Sequence, residues 1–407
     1  MNNKRLHFGA TLRGTAALPA SKSLSARALV CAALGGGLEV ENLSLSDDTQ
    51  ALQRALGAQG SVVDIGPAGT AMRFATAVFS LRSGRRMLTG SERMLHRPIG
   101  LLVDALRSLG ACIAYAGEEG FPPLQIEGTR LSGGDVSLRG DVSSQYVSAL
   151  LMIAPCLQGG LTLRLTGAIG SRPYIDMTLA VMHFYGVEAR WEDAQTLRVE
   201  QGTYAAERPF VVENDWSAAS YWYELVALSP DAEARIVLNG LHRDSLQGDA
   251  RVAEMFVPLG VKTDFTAEGI VLSKSVPSQG LLQIDFSAQP DLAQTLVATC
   301  VGLRRPFRFT GLQSLRIKET DRTAALQAEL LKVGGRLVSE GDAVLTYDGT
   351  LQGLVAEEIS MKTYADHRMA MALAPLAYLH PGLQIEDPGV VTKSYPGFWK
   401  EIERYCL

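Results

Sequence analysis

The feature that most constrains this chain is a series of apolar helices at nearly constant spacing. Each begins with a small or polar residue and continues as an almost wholly apolar segment. The starts lie near Ser21, Gly69, Ser143, Ser217, Asp291 and Asp366. From Gly69 onward, successive starts are 74, 74, 74 and 75 residues apart. Because fixed spacing is typical of a repeated supersecondary unit, we expect about six copies of one unit, with coincidence as the alternative.

A second class of helix is amphipathic, ends at a glycine and leads into a strand. The glycines are Gly57, Gly110, Gly186, Gly260 and Gly334. Glycine just past a helix is the expected left-handed terminator. Stretches such as LTLRLTG, ARIVLNG and AVLTYDG predict strands between the helices. The first class of helix should lie inside its domain, and the second, with its polar face, should cover the outside.

The chain is long enough for two domains. A length of 407 residues exceeds what one compact core usually supports. Grouping the units by three places one domain at 19–212, and the other at 213–407 with residues 1–18 pairing back into it. The boundary is expected near Phe210 to Asn214. We therefore expect an α/β protein with a cleft between two similar domains.

Composition excludes several classes of function. A net charge of -5 argues against nucleic acid as the main partner. The cysteines are scattered without a C-x-x-C pair, which predicts reduced thiols rather than a disulfide framework or zinc site: Cys31, Cys112, Cys156, Cys300 and Cys406. The first residues do not resemble a signal peptide, and the longest apolar run, Met369 to Leu379, is too short to span a bilayer. A cytoplasmic enzyme without a metal ion is expected.

Polar and cationic residues gather at the starts of the apolar helices. Backbone N–H groups and the helix dipole favour anions at that end. The first three starts offer Ser21-Lys22-Ser23 with Arg27, Gly69-Thr70 with Arg73, and Ser143-Ser144-Gln145. The first pattern alone is equally typical of a capped surface helix, and the second alone is a weak motif. Ordinary capping explains one serine of the third pattern but not all three polar groups. Together they predict sites for phosphate or carboxylate groups.

The later part of the chain adds charged residues of both signs. These are Asp291, the KETDR segment from Lys318 to Arg322, Asp366-His367-Arg368, and Lys393. A solvated, salt-bridged turn is the simpler interpretation of KETDR. His367 lacks further residues at metal-ligand spacing, so we expect it to orient a neighbour.

Nine strings in this order resemble the 5-enolpyruvylshikimate-3-phosphate synthase family. They are LPASKSLSARAL, AGTAMR, RMLHRPIGLLVDAL, GDVSSQYVSALLM, SRPYID, PDLAQT, RIKETDR, YADHRMAM and TKSYPGFW. The resemblance runs from Pro19 to the end of the chain, and RIKETDR, DHRMAM and AGTAMR together are very specific. It implies a two-domain inside-out α/β barrel, each domain having three repeated strand-helix units around buried parallel helices.

The reaction implied by the resemblance joins phosphoenolpyruvate to shikimate 3-phosphate and releases inorganic phosphate, by addition and elimination through a tetrahedral intermediate. It belongs to the shikimate pathway, which leads to chorismate and the aromatic amino acids. The resemblance implies no metal and no organic cofactor. It implies two small-molecule substrates, no nucleic acid or membrane partner, a cytoplasmic location and a monomer.

The resemblance also implies roles for individual residues. Asp291 is expected to be the base for the 5-hydroxyl, and Glu319 and Lys22 the proton carriers at the methylene carbon. The expected contacts to shikimate 3-phosphate are Lys22, Ser23, Arg27, Ser143, Ser144, Gln145, Ser171, Tyr174, Asp291, Ser314 and Lys318. The expected contacts to phosphoenolpyruvate are Lys22, Gly69, Thr70, Arg97, Gln145, Arg322, Arg368 and Lys393.

Two positions depart from the family pattern. Pro67 stands where asparagine usually precedes Ala-Gly-Thr, and it removes one backbone N–H from the anion-binding turn. Ser314 replaces an asparagine that commonly helps to hold shikimate 3-phosphate. Neither is an expected proton carrier, so affinities rather than activity should differ. Glyphosate, the family's inhibitor at the phosphoenolpyruvate site, is expected to bind because Gly69 leaves its space open.

Two rival interpretations predict different residues. The enolpyruvyl transferase that acts on UDP-N-acetylglucosamine typically uses a reactive cysteine in a mobile loop, whereas Cys112 lies just after a helix-ending glycine, at the entry to a strand. A catalytically silent relative should have lost charge at the proton-transfer positions, yet Lys22, Asp291 and Glu319 are all present.

Overall fold

The computed structural model describes residues 3–141, 143–352 and 358–407. The chain divides into two compact units. The first domain is Ala20–Val212, and the second domain combines the residues up to Pro19 with Glu213–Leu407.

Helices and strands alternate along the chain. The α-helices are α1 (Lys22–Leu34), α2 (Asp47–Gly57), α3 (Gly69–Leu81), α4 (Glu92–Leu95), α5 (Gly100–Ser108), α6 (Ser144–Ile153), α7 (Arg172–Phe184), α8 (Trp216–Leu228), α9 (Val252–Met255), α10 (Ala293–Gly302), α11 (Arg322–Leu331), α12 (His367–Leu373) and α13 (Phe398–Glu403). The strands are β1 (Lys4–Arg5), β2 (Arg13–Ala16), β3 (Val40–Glu41), β4 (Val62–Asp64), β5 (Gly84–Thr89), β6 (Cys112–Tyr115), β7 (Leu124–Gly128), β8 (Ser132–Arg139), β9 (Gln158–Thr166), β10 (Ala189–Trp191), β11 (Thr196–Val199), β12 (Phe210–Val211), β13 (Arg235–Asn239), β14 (Val261–Phe265), β15 (Gly269–Lys274), β16 (Leu282–Asp285), β17 (Phe307–Thr310), β18 (Val338–Glu340), β19 (Val344–Tyr347), β20 (Ser360–Met361) and β21 (Gln384–Ile385).

The same sheet recurs four times within the described residues. The strand orders are β4-β5-β7-β6 and β8-β9-β11-β10 in the first domain, and β2-β13-β15-β14 and β16-β17-β19-β18 in the second. In every case the first pair is parallel and the other two pairs are antiparallel. The remaining sheets are smaller, β12-β3 and β1-β21-β20. The repeat predicted from the helix spacing is therefore a structural repeat. Four of the sheets formed by the described residues contain four strands, and the other two contain two and three.

The apolar helices form the centre of each domain. In the first domain α1, α3 and α6 pack against one another, and in the second α8, α10 and α12 do so. Their residues are buried almost all round, as the absence of a polar face predicts. Each domain has its own apolar core. Burying one large apolar side chain contributes about 1.5–3 kcal/mol, so these helices supply much of the stability.

The amphipathic helices depart from the prediction in two places. Gly110, Gly186, Gly260 and Gly334 have the expected positive φ, but Gly57 does not. Gly57 is the last residue of α2, and Ala58 carries the chain away in an extended conformation with φ -67°. The helix expected before Gly260 is also broken, with α9 flanked by the 3-10 helices Gly248–Arg251 and Val257–Leu259. Pro258 lacks a backbone N–H, which favours this break.

The N-terminal residues belong to the second domain. Strand β2 pairs in parallel with β13, with Arg13 opposite Arg235. Phe8 forms an antiparallel bridge with Cys406. Nowhere in 3–141, 143–352 or 358–407 is there a helix with the length and apolarity that crossing a membrane requires.

Candidate functional site

In the first domain, three buried helices begin with the predicted polar residues. Ser21 caps α1, and its hydroxyl accepts from Leu24 N at 3.4 Å. Ser143 caps α6 and accepts from Gln145 N at 3.3 Å. Helix α3 begins after Ala68, which has no side-chain acceptor, so no side-chain cap is present there. The start of α3 therefore offers backbone N–H groups that no capping side chain covers, which suits an anion.

Lys22 forms an ion pair that the sequence patterns did not predict. Its Nζ lies 3.1 Å from Asp48 Oδ2, near the start of α2. The carboxylate is 5% exposed and the lysine side chain 16%. Asp48 therefore fixes the Lys22 ammonium at the start of α1, where it is still partly accessible to a ligand.

Arg27 is engaged within the first domain. It is 3% exposed, and Nε donates to Thr178 Oγ1 at 2.8 Å. Its Nη2 donates to Ser148 Oγ at 3.1 Å and to the Tyr174 carbonyl at 3.0 Å. Burial lowers the pKa of Arg27 to about 10. In this geometry Arg27 ties α1, α6 and α7 together.

Gly69, Thr70, Arg97 and Gln145 are brought together around the start of α3. A Cβ at Gly69 would lie 2.5 Å from Arg97 Nη1, so the guanidinium rests directly on the glycine. Gln145 Nε2 donates to Thr70 Oγ1 at 3.0 Å. The absence of a side chain at Gly69 is therefore what lets Arg97 approach the helix end.

Ser171 has an unusual backbone. It precedes α7 in the left-handed conformation, with φ 53° and ψ 38°. Non-glycine residues in this region are uncommon and concentrate at functional sites. Tyr174 lies on the first turn of α7, with its ring 5.9 Å from the Arg27 guanidinium carbon. The structure shows no direct contact that joins Ser171 to Ser143 or Ser144 among the described residues.

In the second domain, seven charged residues form one network, named here the ion-pair cluster. Its members are Asp291, Lys318, Glu319, Arg322, Asp366, Arg368 and Lys393. They come from the 3-10 helix before α10, the loop before α11, the first residue of α11, the start of α12 and the 3-10 helix Pro388–Lys393. The KETDR segment is thus part of a largely buried network, not a solvated turn.

Arg322 is the centre of the ion-pair cluster. It is 1% exposed, and Nε donates to Asp366 Oδ2 at 2.7 Å. Nη1 donates to Asp291 at 3.2 Å, and Nη2 donates to Glu319 at 2.9 Å. Burial acts to lower the pKa of Arg322, but the three carboxylates outweigh it and the pKa is raised. Arg322 was expected to contact phosphoenolpyruvate; in this geometry its guanidinium orients three carboxylates.

Asp291 is surrounded by cations. Arg368 Nη2 donates to Asp291 Oδ2 at 2.9 Å, and Lys318 Nζ lies 3.9 Å from Oδ1. Burial lowers the pKa of Lys318, while the charge of Asp291 acts in the opposite direction. The side chain of Asp291 is 18% exposed, so it can still reach a ligand.

Glu319 bridges Arg322 to Lys393. Its Oε1 lies 3.2 Å from Lys393 Nζ, while Oε2 accepts from Arg322. The glutamate side chain is 15% exposed and that of Lys393 is 11% exposed. A carboxylate and an ammonium in contact at a partly open position can exchange a proton with a bound molecule.

Asp249 is a buried carboxyl that sequence reasoning missed. It is 3% exposed and accepts a hydrogen bond from Ser217 Oγ at the start of α8. Burial, reinforced by the charge of Asp291, raises the pKa of Asp249 to about 7. The sequence QGD at the start of the 3-10 helix Gly248–Arg251 carries no signal for this position, since the partners of Asp249 are distant along the chain.

Two predicted residues lie beside the ion-pair cluster rather than in it. Ser314 is on the 3-10 helix Gln313–Ile317, outside the network formed by the described residues. His367 is 1% exposed, with Nδ1 3.7 Å from Asp366 Oδ1. Within the described part of the chain, no group of three or more His, Cys, Asp or Glu residues is arranged to hold a metal ion.

A family model and named relatives match nearly the whole chain. The model described as EPSP synthase (3-phosphoshikimate 1-carboxyvinyltransferase) matches residues 53–402. A Bacteroides fragilis protein named 3-phosphoshikimate 1-carboxyvinyltransferase is 53% identical over 394 residues, 97% of this chain and 95% of that protein. A protein of the same name from a Sulfurovum species is 36% identical over 420 residues, 96% of each chain.

Solved structures share the fold. The EPSP synthase of Acinetobacter baumannii superposes with a TM-score of 0.78 at 20% identity, covering 99% of this chain and 98% of that one. The enolpyruvyl transferase NikO of Streptomyces tendae gives a TM-score of 0.75 at 15% identity, covering 98% and 96%. These likenesses agree with the α/β fold described above.

Proposed function

This chain belongs to the EPSP synthase family, and we propose that it transfers the enolpyruvyl group of phosphoenolpyruvate to the 5-hydroxyl of shikimate 3-phosphate, releasing inorganic phosphate. The observation that carries this proposal, beside family membership, is the ion-pair cluster. It sets a carboxylate that can accept a proton among cations that can hold an anion.

Proton transfer in this proposal uses Asp291 and Glu319 of the second domain and Lys22 of the first. Asp291 accepts the proton of the 5-hydroxyl as its oxygen attacks C2 of phosphoenolpyruvate. Glu319 and Lys22 carry the proton that the methylene carbon gains in addition and loses in elimination, when phosphate leaves. Arg368, Lys393 and Lys318 stabilise negative charge on the tetrahedral adduct. Arg322 orients the carboxylates of Asp291, Glu319 and Asp366, and in this proposal it also contacts phosphoenolpyruvate.

The first domain supplies most contacts to the substrates. Lys22, held by Asp48, and the open start of α3 at Gly69 suit phosphate or carboxylate oxygens. Arg97 adds a planar guanidinium beside that helix end. The hydroxyl, amide and ring groups proposed to hold shikimate 3-phosphate are Ser23, Ser143, Ser144, Gln145, Ser171 and Tyr174, with Arg27 supporting them and Ser314 contributed by the second domain.

We also propose that the protein works in the cytoplasm as a monomer, with no metal ion or organic cofactor. All five cysteines are unpaired, which suits a reducing compartment. Sedimentation velocity tests whether the protein is a monomer, and an assay in the presence of a chelator tests whether it needs a metal ion.

Phosphate release is the decisive assay. Purified protein is mixed with phosphoenolpyruvate and either shikimate 3-phosphate or UDP-N-acetylglucosamine. We expect release only with shikimate 3-phosphate. Asp291→Asn and Glu319→Gln should each lower kcat about 10²–10⁴-fold, the range typical of general acid–base groups. Asp264→Asn and Glu340→Gln, which alter exposed carboxylates in exposed ion pairs, should retain the parent rate.

Each alternative outcome has a distinct meaning. Release with UDP-N-acetylglucosamine alone would reassign the acceptor while keeping the reaction type. No release with either acceptor, in a folded sample, would identify a catalytically silent relative. Full activity in Asp291→Asn and Glu319→Gln would refute the roles proposed for these carboxylates.

A further inference from the structure

Two consecutive residues directly before the ion-pair cluster have strained backbones. Tyr364 and Ala365 have φ values of 55° and 54°, in the left-handed region that non-glycine residues seldom occupy. Asp366 follows directly and contacts Arg322, and Arg368, two residues further on, contacts Asp291. Such conformations persist only where the surrounding structure holds them, and they concentrate at functional sites.

Tyr364 and Ala365 form a left-handed turn, and Glu329 of helix α11 holds the N-terminal side of this turn. That carboxylate is 1% exposed. Its Oε1 accepts from the Tyr364 hydroxyl at 2.7 Å, and Oε2 accepts from Lys362 N at 2.8 Å. Lys332 Nζ donates to Glu329 Oε2 at 2.5 Å and to the Ser360 carbonyl at 2.8 Å. The charge is therefore balanced, and the segment entering the turn is tied to the helix.

The same helix holds the turn at its other end. Arg322, the first residue of α11, donates to both oxygens of Asp366, which is 0% exposed. Asp366 N donates to the Thr363 carbonyl at 2.9 Å, and Arg368 N donates to Asp366 Oδ1 at 2.9 Å. The strained residues lie between these two anchor points, so the direction of Arg368 depends on both.

We propose that Glu329 and Tyr364 are positioning residues that hold the left-handed turn and thereby aim Arg368 at Asp291. This inference rests on the proposed function, in which Arg368 contacts phosphoenolpyruvate. Neither Glu329 nor Tyr364 touches the reacting atoms. Their effect is transmitted by the backbone of residues 362–368 to Arg368, so it should be larger for phosphoenolpyruvate than for shikimate 3-phosphate.

Tyr364→Phe is the sharpest test, because it removes one hydroxyl and keeps the ring. The matched control is Tyr223→Phe, which removes a hydroxyl hydrogen bond to Thr263 Oγ1 in the same domain. We expect Tyr364→Phe to raise KM for phosphoenolpyruvate about ten-fold, as loss of a hydrogen bond to a charged acceptor implies. KM for shikimate 3-phosphate should rise less, and the control should retain both parent values. Glu329→Gln, which keeps one acceptor oxygen, should raise KM for phosphoenolpyruvate less than Glu329→Ala does.

Hydrogen exchange provides a readout that needs no turnover. The amides of Asp366 and Arg368 should exchange faster in Tyr364→Phe and at the parent rate in Tyr223→Phe. A parent protein without turnover would refute only the proposed function, and the exchange rates would still decide the positioning role. Unchanged kinetics or exchange in Tyr364→Phe, or equal losses in the control, would overturn the inference.

Discussion

Arg322 donates to both carboxylate oxygens of Asp366, from Nε at 2.7 Å and from Nη2 at 3.3 Å. Both side chains are almost wholly buried. The same guanidinium also reaches Asp291 and Glu319. One planar group therefore spaces three carboxylates, which a point charge such as a lysine ammonium cannot do.

Arg322→Lys should destabilise the protein although it preserves the charge. The lysine ammonium cannot span the three carboxylates, and losing charge-assisted hydrogen bonds at a buried position should cost about 3 kcal/mol or more. Thermal unfolding measures this, with Arg308→Lys as the control, because Arg308 and Glu340 form an exposed pair worth about 0–1 kcal/mol. Equal Tm changes in the two variants would contradict the central role of Arg322.

Gly69→Ala should impair binding without unfolding the first domain. The added Cβ would lie 2.5 Å from Arg97 Nη1, and the flexible guanidinium can move away. We expect KM for phosphoenolpyruvate to rise about ten-fold, the equivalent of a modest overpacking energy. Glyphosate is expected to compete with phosphoenolpyruvate for this space, so Gly69→Ala should weaken the binding of glyphosate as well. An unchanged KM with an unchanged Tm would show that Arg97 is not needed at this helix end.

Asp249→Asn should change how stability depends on pH. The folded pKa of Asp249 is raised to about 7 by burial and by Asp291, with Asp215 acting in the same direction and Arg368 against it. A raised carboxyl pKa favours the protonated form, so its contribution is present at low pH and is lost as pH rises from about 4 to 7. The Tm of Asp249→Asn relative to the parent should therefore increase across that window and level off above it. A constant difference from pH 4.5 to 8 would contradict this.

Glu224→Met should stabilise the protein at neutral pH. Glu224 is 0% exposed on α8, and neither carboxyl oxygen has a hydrogen-bond partner among the described residues. Burial raises the pKa of Glu224 well above its usual value, so its cost grows as pH rises above about 4.5. Methionine of similar shape removes that cost. Tm should rise more at pH 8 than at pH 5, whereas Glu254→Met on exposed Glu254 should show little change at either pH. A lower Tm at pH 8 would indicate that Glu224 has a stabilising role.

The spacing of apolar helices was sufficient to predict the centre of each domain. Helices α1, α3, α6 and α12 begin at or one residue after their predicted starts, and α8 begins one residue early because Asp215, rather than Ser217, supplies the cap. Helix α2 does end at Gly57, but the left-handed conformation expected there was wrong, because a glycine near a helix end does not specify the direction in which the chain leaves. The length of the helix before Gly260 was overestimated, because Pro258 interrupts that helix.

The candidate site was predictable only where the residues occur in compact motifs. RIKETDR and DHRMAM indicated Arg322, Glu319 and Arg368 as charged residues at helix starts. The partners that position them have no such signal: Asp48 is 26 residues from Lys22, and Glu329 is 35 residues from Tyr364. A single carboxylate on a helix does not reveal which distant donor it will meet, since that depends on packing between whole elements.

The pairing of β2 with β13 has a consequence for the order in which this protein folds. Arg13 emerges from the ribosome early, yet its partner Arg235 follows only after the whole of the first domain. The first domain is contiguous in sequence and can fold during synthesis as soon as Val212 has emerged. Strand β2, which is made before the first domain, must stay unpaired until β13 has emerged. Closing such a long loop is slow, and it forms no stabilising contact before the partner strand exists. The second domain, although its strand β2 is made before the whole of the first domain, is therefore completed after it.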